Sequence, residues 1–367
     1  MNRRDFIKSS LITGAVVAAG VTTGGIVCSN NKTAGGQFVE SFGKLPSGKR
    51  LELIKKSPNY KDGQFQNELP TTVMTGNKSG IKTMWEFVTE KRANLSPTQP
   101  IPSVKTDLTT LSKNNDFIVW FGHSSYLLQI NGKRILVDPV LIQGSPVSFI
   151  NKPYPGTDIY KPQDIPDFDF LVISHDHWDH LDYFTVKQLK DKIKEIVVPL
   201  GVGEDFKYWN FDSNKINELD WYQAAKIDDI TFYCLPARHF SGRSLFRNKT
   251  LWASFVVEFP NGKKVYIGGD SGYGPHFKYI GEHFSDIDLA ILENGQYNQD
   301  WNQIHTMPDE LTKEMQELNA KKYITVHHSK YTLSKHSWDD PLKAELQAAK
   351  DSNKDLLVLT IGKPQEI

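Results

Sequence analysis

The sequence predicts an α/β protein whose sheets are covered by helices and whose main domain follows an extended N-terminal arm. Three observations carry that expectation. From Asp116 onward, short apolar runs of strand length alternate with segments of helical spacing. Two Asn-Gly pairs, Asn131-Gly132 and Asn261-Gly262, each lie between strand-like runs and mark hairpin turns, in which both central residues take positive φ. One apolar run, Asp169 to Ile173, leads straight into a cluster of histidines and aspartates. No short-period repeat is present, which argues against a solenoid.

In chain order, residues 1–30 read as an export signal or anchor. Arg3 and Arg4 precede Asp5-Phe6-Ile7-Lys8 and a weakly apolar run from Leu11 to Val27, a layout that resembles a twin-arginine signal. The run is rich in Gly, Ala and Thr and makes a poor stop-transfer helix, with an uncleaved anchor as the alternative. Cys28-Ser29-Asn30 raises lipidation, although Gly25-Ile26-Val27 is a poor match to the residues that usually precede a lipidated cysteine. The expected location is the periplasm or cell envelope, with anchoring through Cys28 left open.

Residues 31–115 are polar and punctuated by Pro and Gly, and read as an arm that wraps a following domain because it cannot bury a core of its own. One helix is expected within it, Ile81 to Ala93, with Met84, Phe87 and Val88 on one face. Residues 116–367 form the main domain. Its expected strands are Phe117 to Phe121, Ser125 to Ile130, Arg134 to Val137, Asp169 to Ile173, Glu195 to Pro199, Ile230 to Leu235, Leu251 to Phe259, Lys264 to Ile267, Asp288 to Leu292 and Lys322 to Val326. Helices are expected at Thr185 to Ile193, around Pro308 to Leu318, and at Pro341 to Ala349.

Composition narrows the function. With 367 residues and 39% hydrophobic content the chain can bury a substantial core. Lys plus Arg and Asp plus Glu number 43 each, so no global field attracts nucleic acid, and none is expected as a partner. Two cysteines, Cys28 and Cys234, make neither a disulfide framework nor a cysteine-rich zinc site, and Cys234 reads as a small core residue.

The chemistry is concentrated in His175-Asp176-His177-Trp178-Asp179-His180. Alternate positions 175 and 177 can point the same way from an extended loop, while 179 and 180 turn to a neighbouring point. Neutral imidazole and carboxylate are natural ligands for Zn²⁺ and similar metals. So many ionisable groups just past a buried strand require a counter-charge.

His-x-His-x-Asp-His after a strand resembles the signature of the metallo-β-lactamase fold, an αββα sandwich. The resemblance continues in Pro236-Ala237-Arg238-His239, in Gly268-Gly269-Asp270-Ser271-Gly272 and in Val326-His327. It implies that His175, His177 and His239 hold one divalent cation, that Asp179, His180 and His327 hold a second, and that Asp270 bridges them. Zinc is the expected metal, and the arrangement leaves room for a bridging hydroxide. Within the fold the chain resembles the N-acyl-phosphatidylethanolamine-hydrolysing phospholipase D group and its bacterial relatives. The matching stretches include Trp120-Phe121-Gly122-His123-Ser124, Leu219-Asp220-Trp221, His305-Thr306-Met307-Pro308 and Trp338-Asp339-Asp340-Pro341. One departure stands out: where that group usually has His-Trp-Gly-Thr-Phe, this chain has His327-His328-Ser329-Lys330-Tyr331, so the pocket beside the second metal is altered.

The resemblance implies a phosphodiesterase of phospholipase D type, acting on a small-molecule or lipid substrate with membrane-surface contact. Asp179, Asp270 and His305 are the candidate catalytic residues, with His123 and His328 as candidates for substrate contact and Asp138 as a support for a ligand histidine. Met84, Trp85, Phe87 and Val88 are a candidate apolar flank for an acyl chain. A lactonase or other ester hydrolase on the same scaffold is the alternative. A redox or non-catalytic metal protein is disfavoured, because His177 stands where the redox branch has Glu and no ligand is missing.

Overall fold

A computed structural model describes residues 34–76, 94–148 and 150–367. The expected export signal, the helix Ile81 to Ala93 and the apolar flank on that helix lie outside the described residues. The chain divides into two units. The first ends at Gly43 and holds helix α1 (Ala34–Ser41). The second, Lys44–Ile367, holds everything that follows. Among the described residues no helix is long and apolar enough to cross a membrane.

The arm is more structured than its composition predicts. It forms helix α2 (Gly48–Ile54) and a short hairpin, β1 (Tyr60–Lys61) with β2 (Gln64–Phe65). The reason lies in burial: Ile54 and Phe65 are sequestered in the central core, so the arm from Lys44 borrows a core it could not make alone.

Two seven-stranded sheets form the body. The first contains β3 (Phe117–Trp120), β4 (Tyr126–Ile130), β5 (Lys133–Val137), β6 (Phe168–Val172), β7 (Ile193–Pro199) and β8 (Ile216–Leu219), with β16 (Gln365–Glu366) beside β3. The second contains β9 (Ala224–Ile227), β10 (Ile230–Leu235), β11 (Ser254–Glu258), β12 (Lys264–Ile267), β13 (Leu289–Glu293), β14 (Lys322–Val326) and β15 (Asp355–Leu356). Ile130 pairs with Lys133 across Asn131 (φ 52°) and Gly132 (φ 74°), the two-residue turn that the Asn-Gly pair predicts. Helices α3 (Tyr183–Leu189) and α4 (Gly203–Tyr208) follow strands of the first sheet, and α5 (His276–His283), α6 (Leu311–Leu318) and α7 (Asp340–Ser352) strands of the second.

Side-chain alternation assigns the layers. Ile118, Trp120, Phe170 and Val172 point inward and share one cluster with Phe232, Phe255, Val265 and Ile291 of the second sheet. Rings of Phe170 and Phe232 meet across the interface at 5.0 Å. Val119, Leu127 and Leu171 point outward onto Val186, Phe206 and Trp209 of the helical layer. Tyr266, Leu292 and Tyr323 do the same against Phe277, Ile280 and Met315. The inner strands are buried on both faces, which is why they read as continuous apolar runs. The architecture is the expected αββα sandwich.

β3 runs parallel to β5, β6 and β7, because β4 reverses direction between β3 and β5. β10, β12, β13 and β14 share a direction for the same reason. The loops leaving the C-terminal ends of these strands therefore gather along one edge of each sheet, where ligand sites of open α/β sheets form.

Candidate metal centre

Each sequence-predicted donor sits just past one of those strand ends. His123 follows β3, Asp138 ends the turn after β5, and His175 to His180 follow β6. His239 follows β10, Asp270 follows β12 and His327 follows β14. The structure brings all seven expected ligands together, in overlapping groups whose donor atoms lie within 4.8 Å of one another.

His175 Nε2 is 2.8 Å from His177 Nδ1, and His239 Nε2 is 3.2 Å from that same atom. Asp270 Oδ2 faces this trio at 3.9 Å from His175 Nε2 and 3.7 Å from His239 Nε2. Asp270 Oδ1 faces the other way, at 3.2 Å from both His180 Nε2 and His327 Nδ1. Asp179 Oδ2 is 3.9 Å from His180 Nε2. One carboxylate thus turns one oxygen to each of two donor groups.

The fit to a cation rests on polar atoms that nothing else satisfies. His180 Nε2 and Asp270 Oδ1 are buried without a hydrogen-bond partner, a cost that folded proteins rarely leave uncompensated. Protonation states agree at four of the five ligand histidines. At His180 burial is outweighed by the carboxylates of Asp270 and Asp138, which hold the imidazole well above its usual range, so a cation there would have to displace its proton. Burial pushes the His177 imidazole down to about 4, and burial with neighbouring histidines holds His175 well below its usual range. Burial also holds His239 and His327 well below theirs, against the pull of Asp270. Their lone pairs are therefore free. Burial would raise Asp270, but the histidines around it outweigh that and keep it ionised. Asp179 is kept ionised in the same way, chiefly by its hydrogen bond to His123.

The donors are held from behind. Asp138 Oδ2 accepts from His180 Nδ1 at 2.8 Å and from the Ser174 hydroxyl at 2.6 Å, while its Oδ1 accepts from Ser174 N at 2.8 Å. The Ile304 carbonyl lies 2.7 Å from His239 Nδ1, behind the Nε2 that faces Asp270. Such partners fix the tautomer and the ring plane of a ligand histidine. The ligand loop itself is clamped by the segment after β10. Asp176 accepts from Gly242 N at 2.7 Å and from Thr250 Oγ1 at 2.7 Å. The buried Arg243 guanidinium lies over the Trp178 ring at 4.1 Å and donates to the carbonyls of Asp176 and Leu181.

Three further histidines part ways. His305 lies at the cavity with Nδ1 3.0 Å from Glu293 Oε1. Burial costs His305 its hydration, yet Glu293 with Asp270 and Asp179 lifts its pKa above the ordinary value; burial in turn pushes Glu293 up to about 7. His123 is fully buried and holds Asp179 Oδ2 at 3.0 Å, which places it inside the second donor group. His328, an expected candidate for substrate contact, is turned away. Its ring nitrogens lie 3.2 Å from Thr325 Oγ1 and 2.8 Å from Ser329 Oγ, and burial drops it to about 3. It packs against Trp120 as a core residue. The departure from the family pattern continues in Lys330, whose buried ammonium donates to the carbonyls of Phe121 and Val140 at 3.1 and 2.9 Å.

A cavity of about 280 Å³ opens over the donors, with His177, Asp179, His239, Asp270, His305 and His327 on its floor. Its walls are mainly apolar, Val73 and Met74 of the arm with Phe240, Trp301, Ile304 and Leu333, joined by Gln296 and Arg247. Sequence reasoning missed Glu293, Arg243 and these two arm residues. For Glu293 a signal existed, since it ends a strand at the same edge as the other site residues.

Comparison with known proteins agrees with this geometry. A β-lactamase superfamily domain matches residues 133–328. An uncharacterized protein of Mycobacterium tuberculosis is 37% identical over 312 residues, covering 83% of each chain. The N-acyl-phosphatidylethanolamine-hydrolyzing phospholipase D 1 of Caenorhabditis elegans is 30% identical over 317 residues, 78% of this chain and 87% of that one. Among solved structures, Igni18, a metallo hydrolase of Ignicoccus hospitalis, superposes with a TM-score of 0.53 over 69% of this chain and 98% of its own. At 19% identity that likeness speaks to the fold alone.

Proposed function

The chain belongs to the β-lactamase superfamily and is a metal-dependent hydrolase; from that premise we propose that it is a binuclear phosphodiesterase of phospholipase D type, acting on lipids like N-acyl phosphatidylethanolamine. The observation that carries this reading is the cavity, whose polar floor of carboxylate and imidazole is walled by Val73, Met74, Phe240, Trp301, Ile304 and Leu333. A charged diester next to acyl chains fits such a surface. The resemblance to a phospholipase D that covers 87% of that relative supports it.

In this reading His175, His177 and His239 would hold one zinc ion and Asp179, His180 and His327 the other, with the Asp270 carboxylate shared between the two sets. Two such cations supply Lewis acidity and bring the pKa of a bound water towards neutrality. The rest falls to the chain. Asp179, fixed by His123 at 3.0 Å, orients the attacking water with its remaining lone pairs. As the water adds to phosphorus it gives up a proton to the ionised Asp179 carboxylate, the P–O bond to the alcohol breaks, and the leaving oxygen takes a proton from His305, which the proton on Asp179 replaces by way of solvent. Glu293 keeps that imidazole charged and aimed, the pair behaving as one coupled acid. The apolar walls keep bulk water from the reacting phosphate.

The test is to incubate purified, metal-loaded protein with N-acyl phosphatidylethanolamine and with a panel of lactones, following products by mass spectrometry. Phosphatidic acid and the N-acyl ethanolamine are the expected products. Opening of lactones with diesters untouched would overturn the phospholipase reading.

A further inference from the structure

Among the described residues that line the cavity, Arg247 is the one permanently cationic side chain; the other charge there is carboxylate and imidazole of the donor groups. It is exposed, but its place is built. The segment from Ser241 to Asn248 is closed at its base by Asn248 N donating to the Ser241 carbonyl at 3.1 Å and by Ser241 N donating to Asn248 Oδ1 at 3.2 Å. Phe65 N ties it to the arm through the Asn248 carbonyl at 2.8 Å. Asn248 turns with φ 58°, a conformation asparagine tolerates better than most residues.

The guanidinium lies over the Phe240 ring, 5.1 Å from its centroid. Phe240 in turn packs edge-on against His177 at 4.3 Å and beside His239 at 4.8 Å. Arg247 is thereby indexed to the first donor group through a single aromatic ring. A guanidinium held over a ring uses none of its N–H donors there, and two of those donors can match two oxygens of a phosphate. Among the described residues no carboxylate pairs with it.

We propose that Arg247 is a specificity-determining residue that takes the non-bridging phosphate oxygens of the substrate at the cavity mouth. The assignment rests on the phosphodiester reading above. It explains how a site whose floor would also polarise a neutral ester comes to prefer an anionic one. The charge is paired in the bound state and in the transition state alike, so Arg247 contributes uniform binding, which appears in KM and not in kcat.

The experiment compares metal-loaded wild type, Arg247→Ala and Arg247→Lys at matched metal content. Substrates are bis(4-nitrophenyl) phosphate, a monoanion, and 4-nitrophenyl acetate, which is neutral. Arg247→Ala is expected to raise KM for the diester about tenfold with kcat within about twofold, and to leave the acetate parameters unchanged. Arg247→Lys should recover part of the loss, because charge returns without the fork. Equal shifts for both substrates, or an unmoved diester KM, would overturn the assignment. Calorimetric titration with dibutyl phosphate needs no turnover and separates the two readings. If diesters bind but are not cleaved, the phosphodiesterase reading fails, and Arg247 stands only if Arg247→Ala weakens dibutyl phosphate about tenfold. Undiminished or absent binding sinks it.

Discussion

Asp138→Asn isolates the support of one metal ligand from the ligand itself. The carboxylate receives three donors: Ser174 N on Oδ1, and both the Ser174 hydroxyl and His180 Nδ1 on Oδ2. An amide has one acceptor oxygen. If its NH₂ faces Ser174 N, two donors collide in a buried site. If it faces His180, the imidazole must move its proton to Nε2, the atom that points at Asp270 Oδ1 from 3.2 Å and would hold the cation. Either arrangement leaves a buried donor unmatched, at about 1–3 kcal/mol. Loss of such an outer partner costs roughly 10–100-fold in metal affinity. The assay is competition for zinc against a chromogenic chelator, with urea unfolding of the metal-free protein run in parallel. A variant that holds metal within about twofold of wild type while remaining folded would refute the tautomer argument.

Two other single substitutions and one charge-conserving double replacement give further expected outcomes. Asp270→Asn removes the charge shared by both donor groups, and turnover should fall roughly a thousandfold or more in a protein that still folds, as steady-state rates and circular dichroism would show. Glu345 is pushed up to about 7 by burial, against the pull of its Thr325 hydroxyl partner. The folded state therefore binds the extra proton, and stability present below about pH 4.5 is lost as pH rises to about 7, by about 3 kcal/mol. Glu345→Gln should flatten that slope in urea melts taken across the interval; an unchanged profile would discount the burial argument. Arg3→Lys with Arg4→Lys should retain the protein in the cytoplasm on fractionation, whereas unchanged export would favour the general secretory route or an anchor.

What was legible in the sequence follows from how local each feature is. Ile230–Leu235, Lys264–Ile267 and Lys322–Val326 match the expected runs because they are buried on at least one face, strongly apolar and flanked by turn residues. Ile216–Leu219 and Ala224–Ile227 escaped because edge strands of half-buried side chains carry no continuous apolar signal. α5 escaped because His276–His283 mixes ring and polar residues over only eight positions. The histidine cluster is legible because four of its donors lie within six residues of one another. His239, Asp270 and His327 needed the family resemblance, as each taken alone reads as an ordinary turn residue. Arg243, Glu293, Val73 and Met74 reach the site through contacts across distant segments, and spacing in the sequence carries no trace of those.

The backbone around the donors shows why function collects at this edge. His123, Asp138, Gln296, His327 and Ser329 all take positive φ, between 41° and 70°, although none is glycine. Each such residue costs on the order of 1 kcal/mol. The strain is held by hydrogen bonds that cross the two halves of the sandwich. His123 N donates to the His328 carbonyl at 2.9 Å, and His327 N donates back to the His123 carbonyl at 3.1 Å. Asp138 N donates to the Val172 carbonyl at 3.0 Å within the first sheet. A chain leaving a strand in the extended conformation would carry these side chains away from the edge. The left-handed turn folds His123, Asp138 and His327 back over it, so that donors from both sheets converge on Asp270. The two-sheet core, closed on both outer faces by helices, supplies the rigidity that keeps those turns from relaxing. Neither half alone holds either expected ligand set, since His239, Asp270 and His327 come from the second sheet and His175, His177, Asp179 and His180 from the first. The centre exists only where the two halves meet.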